Sequence, residues 1–246
     1  MYQERIYRKY MKTDELTGFN VTKYESDLQI FAGTNLDKEA KAALNKYRKY
    51  ISDYIKKNPG FLTSLVPVEP EHDAPDIIQD MCRAALLANV GPMAAVAGAV
   101  SKYVGRYLLK YSDEVLVENG GDIFLKSKKD RRILIFAGSS PLSNKLALSI
   151  PGSNQELGIC TSSGTVGHSL SFGKADAAVV ISKDTVLADA AATAVGNVVK
   201  NKYDIKAGIE CAMSIQGIDG VVIIAGDRMG AWGDINLTEP DSVKLT

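Results

Sequence analysis

The chain has few cysteines, no net charge and no unbroken apolar run, and each shortage closes off a class of protein. Its three cysteines, Cys82, Cys160 and Cys211, are odd in number and widely spaced, which fits reduced, mostly buried thiols rather than a disulfide framework or a zinc site. Lys+Arg and Asp+Glu balance at 29 each, so no global field draws the protein to nucleic acid or to an anionic membrane, and an anionic ligand must be met locally. The most apolar stretch, residues 84–100, is interrupted by Asn89, Gly91 and Pro92, and the first ten residues lack the apolar core of a signal peptide. These features read as a cytoplasmic protein without a membrane partner.

What is present is ample for a core: 246 residues, of which 46% are hydrophobic. Residues 19–24 and 28–31 read as a hairpin turned at 25–27. A helix follows, capped at Thr34 or Asn35, with Ala40, Ala43, Leu44, Tyr47, Ile51, Tyr54 and Ile55 along one face. Asn58, Pro59 and Gly60 stop it, and a proline-rich connection containing His72, read as a solvated loop histidine, leads to a helix from Asp76. Pro92 suits the first turn of a further helical run reaching about Leu109.

From residue 115 the composition turns to strands, expected at 115–118, 122–126, 132–137, 146–150, 157–161 and 177–181, whose tight links suggest an antiparallel meander. The basic run 126–132 reads as the solvated tip of one hairpin. Helix-like stretches at 182–199 and near 205–215, a strand at 221–225 and a glycine-rich turn holding Trp232 complete the expectation. The whole is an α+β fold, mostly antiparallel sheet with helices packed on its faces. It reads as one domain over 1–246, the hairpin and helix of residues 1–60 integrated with it.

Four stretches carry chemistry. Asp189 and Thr193 lie four apart on an alanine-rich helix, so a carboxylate and a hydroxyl share one face and can hold a hard cation such as Mg²⁺; the competing reading is a core helix whose Asp complements the dipole in the first turn. The turn at 89–93, including Gly91 and Met93, with Ala94 beyond it, can present backbone groups to a ligand, or simply let two helices pack closely. Asn119-Gly120-Gly121-Asp122 gives positive φ and close backbone access, as any tight hairpin does. Thr161, Ser162, Ser163 and Gly164 open a hydroxyl- and glycine-rich loop that can cradle phosphate, and His168 is its one side chain that titrates near neutral pH. Cys160 borders that loop with nothing cationic beside it in sequence, so an inert thiol is expected.

In this order the stretches resemble the ApbE family, flavin transferases that take FMN from FAD. Gly91-Pro-Met-Ala94 is similar to the family's Gly-x-x-Ala, Asn119–Asp122 to its Gly-Gly-Asp hairpin and Thr161–Gly164 to its Thr-Ser-Gly loop. Ala188-Asp189-Ala-Ala-Ala-Thr193-Ala194 matches Ala-Asp-Ala-x-Ala-Thr-Ala, the most specific of the four. The chain departs from the family at Ala95, where a lysine is usual, and in the loop after Gly164, where only His168 represents His-x-x-Asp-Pro-x-Thr-Gly. The resemblance implies a site within residues 75–200. Asp189 and Thr193 would hold Mg²⁺, FAD would bind at Gly91, Met93, Ala94, 119–122 and 161–164, and His168 would serve as base for transfer of FMN to a Thr or Ser of an acceptor protein. A flavin- or nucleotide-binding module without chemistry, and an FAD pyrophosphate hydrolase, are the readings that stand beside it.

Overall fold

A computed structural model describes residues 15–166 and 172–240. β1 (Thr17–Lys23) and β2 (Ser26–Ala32) form a hairpin whose turn is only Tyr24 and Glu25, with Tyr24 at φ 52°. α1 (Asp37–Lys57) starts at Leu36 without a side-chain cap, while Asn35 accepts the Asp37 N–H at 2.9 Å. A short turn of helix, α2 (Gly60–Thr63), precedes the proline-rich connection. α3 (Asp76–Ala88) ends on Asn89 in the left-handed conformation, and a 3-10 turn, Pro92–Ala95, runs into α4 (Val96–Leu108). Among the described residues no single helix is long and apolar enough to cross a membrane.

β3 (Val115–Asn119) and β4 (Asp122–Ser127) pair as expected, but the chain then leaves the sheet. β5 (Arg131–Leu134) and β6 (Ala147–Ile150) belong to a separate three-stranded sheet, and β7 (Ser153–Ser162) returns to pair with β4. β8 (Ala177–Ser182), α5 (Thr185–Val198), α6 (Ile205–Ser214), β9 (Gly220–Ala225), β10 (Arg228–Gly233) and β11 (Leu237–Thr238) follow. The large sheet has the order β1-β2-β3-β4-β7-β8-β9-β10, antiparallel throughout, and the small one β11-β6-β5.

Both faces of the large sheet are apolar, which is why the meander breaks. On β8, Ala178 and Val180 pack with the helices, whereas Ala177, Val179 and Ile181 face the other way with Leu116, Ile123 and Ile159. That second face needs a cover, and Ile135, Leu148 and Ile150 of the excursion supply it. The result is three layers: helices, large sheet, small sheet. The basic run is correspondingly no hairpin tip but a link between sheets, pinned by Lys128–Asp113 at 2.7 Å, Arg131–Glu114 at 3.0 Å and Lys129–Glu15. Trp232 lies not in a turn but on β10, opposite Val221 and half-buried.

Candidate functional site

α5 is capped by Asp184, whose carboxylate accepts the Val186 N–H at 3.0 Å. Asp189 therefore sits in the second turn and does not serve its own helix's dipole. It serves another helix: its Oδ2 accepts the Gly98 N–H at 2.7 Å, and the Ala97 N–H faces it as well. These are orphan donors of the first turn of α4, where a carboxylate meets both unpaired N–H groups and the positive end of the dipole. The approach requires glycine, since a Cβ on Gly98 would lie 2.6 Å from the Thr185 carbonyl oxygen and 2.7 Å from the Asp189 Cβ. Burial drives the Asp189 carboxyl up, the two N–H groups pull it back, and the balance stands at about 7. Thr193 follows one turn later, half-buried.

The Asn119–Asp122 hairpin lies on this same end of α4. Gly120 and Gly121 turn it at φ 71° and 103°, and the Gly121 N–H is held by Glu118 at 2.9 Å. The Asp122 carbonyl accepts the Ser101 hydroxyl at 3.0 Å, and the Asn119 amide donates to the Ala97 carbonyl at 3.3 Å. Asp122 is 7% exposed, and among the described residues its Oδ1 has no hydrogen-bond partner. Burial, and then the charge of Asp189, hold its carboxyl well above the carboxylate range, against the pull of the nearby Cys160 thiol, which donates to the Thr185 carbonyl at 3.5 Å, and of the Thr161 N–H. Cys160 is thus brought to the site while remaining fully buried. Its own burial, then the charges of Asp122 and Asp189, push its thiol well up, in keeping with an inert sulfur.

Thr161 and Ser162 are still strand, paired with Val179 and Ala178. Beyond them the Ser163 hydroxyl is engaged inside the loop, accepting the Thr165 and Val166 N–H groups at 3.1 and 2.9 Å, and Gly164 donates to the Ala175 carbonyl at 2.9 Å. Thr165 donates to Asp176, which also accepts the Gly226 N–H at 2.7 Å, so the loop is tethered to the β9–β10 turn. His168 lies outside the described residues. Gly91 packs on the chain near Ser64, where a Cβ would come within 1.8 Å of a carbonyl oxygen, and its own carbonyl accepts the Ala94 N–H. Met93 and Ala94 are half-buried in the 3-10 turn. The amides that face Asp189 come from α4 itself, beyond that block.

Sequence reasoning missed Lys102, 4% exposed, whose ammonium sits 2.9 Å from both Asp80 and Asp184. Burial pushes the Asp80 carboxyl up, but the Lys102 hydrogen bond and charge, with Arg83 and the Tyr103 hydroxyl, outweigh it and hold it below its ordinary value. A lysine inside the apolar run Val100-Ser-Lys-Tyr-Val104 was the available signal, because a buried ammonium needs partners. No basic side chain pairs with Asp122 or Asp189 among the described residues. Nor do three His, Cys, Asp or Glu side chains among those residues converge as a ready-made metal cluster. A cation here would draw on carboxylates together with hydroxyl and carbonyl oxygens, the donor set of a hard divalent ion.

Helices, an eight-stranded antiparallel sheet and a three-stranded sheet in three layers define an α+β protein, and solved ApbE proteins share its fold. The ApbE protein of Thermotoga maritima superposes with a TM-score of 0.63 at 12% identity, covering 87% of this chain and 96% of that one. A mutant of the flavin transferase ApbE of Vibrio cholerae gives 0.58 at 13%, covering 89% and 97%. A family profile described as "AbpE bacteria" matches residues 8–217, and the chain belongs to that family. Relatives named only as UPF0280 proteins are 43% identical over 201 residues in Methanococcus aeolicus (80% of this chain, 81% of the relative). In Methanothrix thermoacetophila the figure is 39% over 232 residues (93% and 92%).

Proposed function

We propose that this protein binds FAD with Mg²⁺ at the N-terminus of α4 and transfers FMN to a Thr or Ser hydroxyl of an acceptor protein. The observation that carries this reading is the pair Asp122 and Asp189, buried without a basic partner among the described residues and joined at that helix end by the Asn119–Asp122 hairpin and Thr161. Asp189 and Thr193 would hold the cation, and Mg²⁺, when bound, supplies Lewis-acid polarisation of the pyrophosphate. The orphan Oδ1 of Asp122 fits a site with positive charge to receive. The Asn119–Asp122 turn and the Thr161–Gly164 segment would line the nucleotide. The acceptor hydroxyl attacks the FMN phosphorus, His168 takes its proton, the P–O bond to the AMP phosphate breaks, and AMP leaves.

One observation supports a second reading, a flavin-binding module without chemistry. Ala95, standing where the ApbE family usually has lysine, is fully buried, so no ammonium reaches the phosphates from that position. Incubating the protein with FAD and Mg²⁺ and following AMP separates the readings. Transfer yields AMP and flavin bound covalently to an acceptor, hydrolysis yields AMP with free FMN, and a binding module leaves FAD intact. With a competent acceptor, the first outcome is expected. Replacement His168→Asn should then slow AMP release by about 10²-fold or more while FAD affinity stays within a few-fold.

A further inference from the structure

Charge counting at the α4 N-terminus goes beyond the pair Asp189 and Thr193. A divalent cation held by one carboxylate and one neutral hydroxyl would leave a net positive charge in a buried place, which is costly unless a second anion lies near. In a complex with a nucleotide, phosphates supply that anion; without one, the protein must. Asp122 is so placed. It is more than nine-tenths buried, Asp189 is the charge that acts on it most strongly, and Oδ1 is left without a partner although the backbone carbonyl of the same residue is bonded to Ser101. Its backbone cannot relax away from the site, because the two-glycine turn, the Ser101 bond and the pairing of Ile123 with Ile159 fix it on three sides. A carboxylate so confined serves no ion pair of the fold.

We propose that Asp122 is the second anionic group of the cation site, and that it lets the protein take up a divalent cation before any nucleotide arrives. This rests on the reading of Asp189 as a cation ligand and adds an order of loading. Cation first, flavin nucleotide second, makes the site a preformed, charge-balanced metal receptor, whose cation would offer its open positions to a pyrophosphate, rather than one assembled around a metal–nucleotide complex.

The test uses Mn²⁺ as a paramagnetic substitute for Mg²⁺, titrated into the full chain and followed by electron paramagnetic resonance, with and without FAD. The parent should bind Mn²⁺ without FAD. Asp122→Asn should weaken that binding about tenfold or more, and FAD, bringing its own phosphates, should restore most of the loss. Asp189→Asn should lose binding under both conditions. The thermal melt of metal-free Asp122→Asn should stay close to that of the metal-free parent, since the amide is isosteric with the carboxyl and burial already disfavours the charged form, which separates lost binding from lost fold. A parent that takes up Mn²⁺ only with FAD, or an Asp122→Asn variant that binds as the parent does without FAD, overturns the proposal. Unchanged binding in Asp189→Asn would instead remove the cation site itself.

Discussion

Two pairs of carboxylates, one half-buried and one buried, flank successive turns of α4, and the protein treats them oppositely. Asp80 and Asp184 meet the Lys102 ammonium at 2.9 Å each, so their charges are closed within the fold and tie α3, α4 and α5 together. Among the described residues Asp122 and Asp189 meet N–H groups and a thiol but no cation, and both carboxyls are driven up rather than down. Gly98 and Lys102 are four residues apart on α4, so the same helix face offers an amide to Asp189 and an ammonium to Asp184. Where rigidity is needed the fold supplies the counter-charge; where it is withheld, the site keeps an affinity for something from outside.

The comparison can be broken most forcefully at Lys102. Lys102→Met takes the buried ammonium from Asp80 and Asp184, leaving Asp80 with Arg83 and Tyr103 and Asp184 with the Val186 N–H, and should cost about 1–3 kcal/mol, read as a lowered urea midpoint. The unpaired carboxylates respond to pH instead. The Asp189 carboxyl stands at about 7 in the folded chain against an ordinary 3.8, so the folded state holds a proton that the unfolded state has released. Its contribution is complete below the lower value and is lost as pH rises through the higher; Asp122 shifts the same way. Metal-free protein should therefore melt several degrees lower at about pH 8 than at about pH 5, a gap that narrows in Asp189→Asn. Gly98→Ala forces a methyl against Thr185 and Asp189 and should cost about 1–3 kcal/mol by chemical denaturation, with cation binding lost. At the low end, Lys128→Ala removes an exposed pair with Asp113 and should change stability by less than about 1 kcal/mol.

Local signals were readable where the chain had one physical reason for its pattern. The apolar stripe of α1, the stop at Asn58-Pro59-Gly60 and the turn at Gly120-Gly121 each follow from helical spacing or backbone freedom and needed no tertiary context. The strands of residues 131–150 were visible as strands, but nothing in their composition says that they cover the back of the large sheet instead of joining it, because that depends on apolar residues of β3, β4 and β8 on its far face. The helix cap shows the same limit. Lys183-Asp184-Thr185 and Ala188-Asp189-Ala190 offer two aspartates for one dipole, and only the approach of α4 separates the cap from the carboxylate turned to another helix. Lys102 belongs with these, since its partners stand 22 and 82 residues away.

The excursion through β5 and β6 has a consequence for how the protein is made. Its strands lie between β4 and β7, which are neighbours in the large sheet, so that sheet can close while the excursion hangs outside it. The third strand of the small sheet is β11, paired to β6 through Leu237 opposite Leu148, and it comes from the far end of the described chain. During synthesis the apolar back of the large sheet, with Phe31, Leu116 and Ile123 on it, thus waits for its last covering strand until nearly the whole sequence has emerged. The helix-facing layer, where Asp122 and Asp189 sit, draws only on earlier segments. The helix-facing layer needs nothing later than β10, whereas the back of the sheet waits for β11.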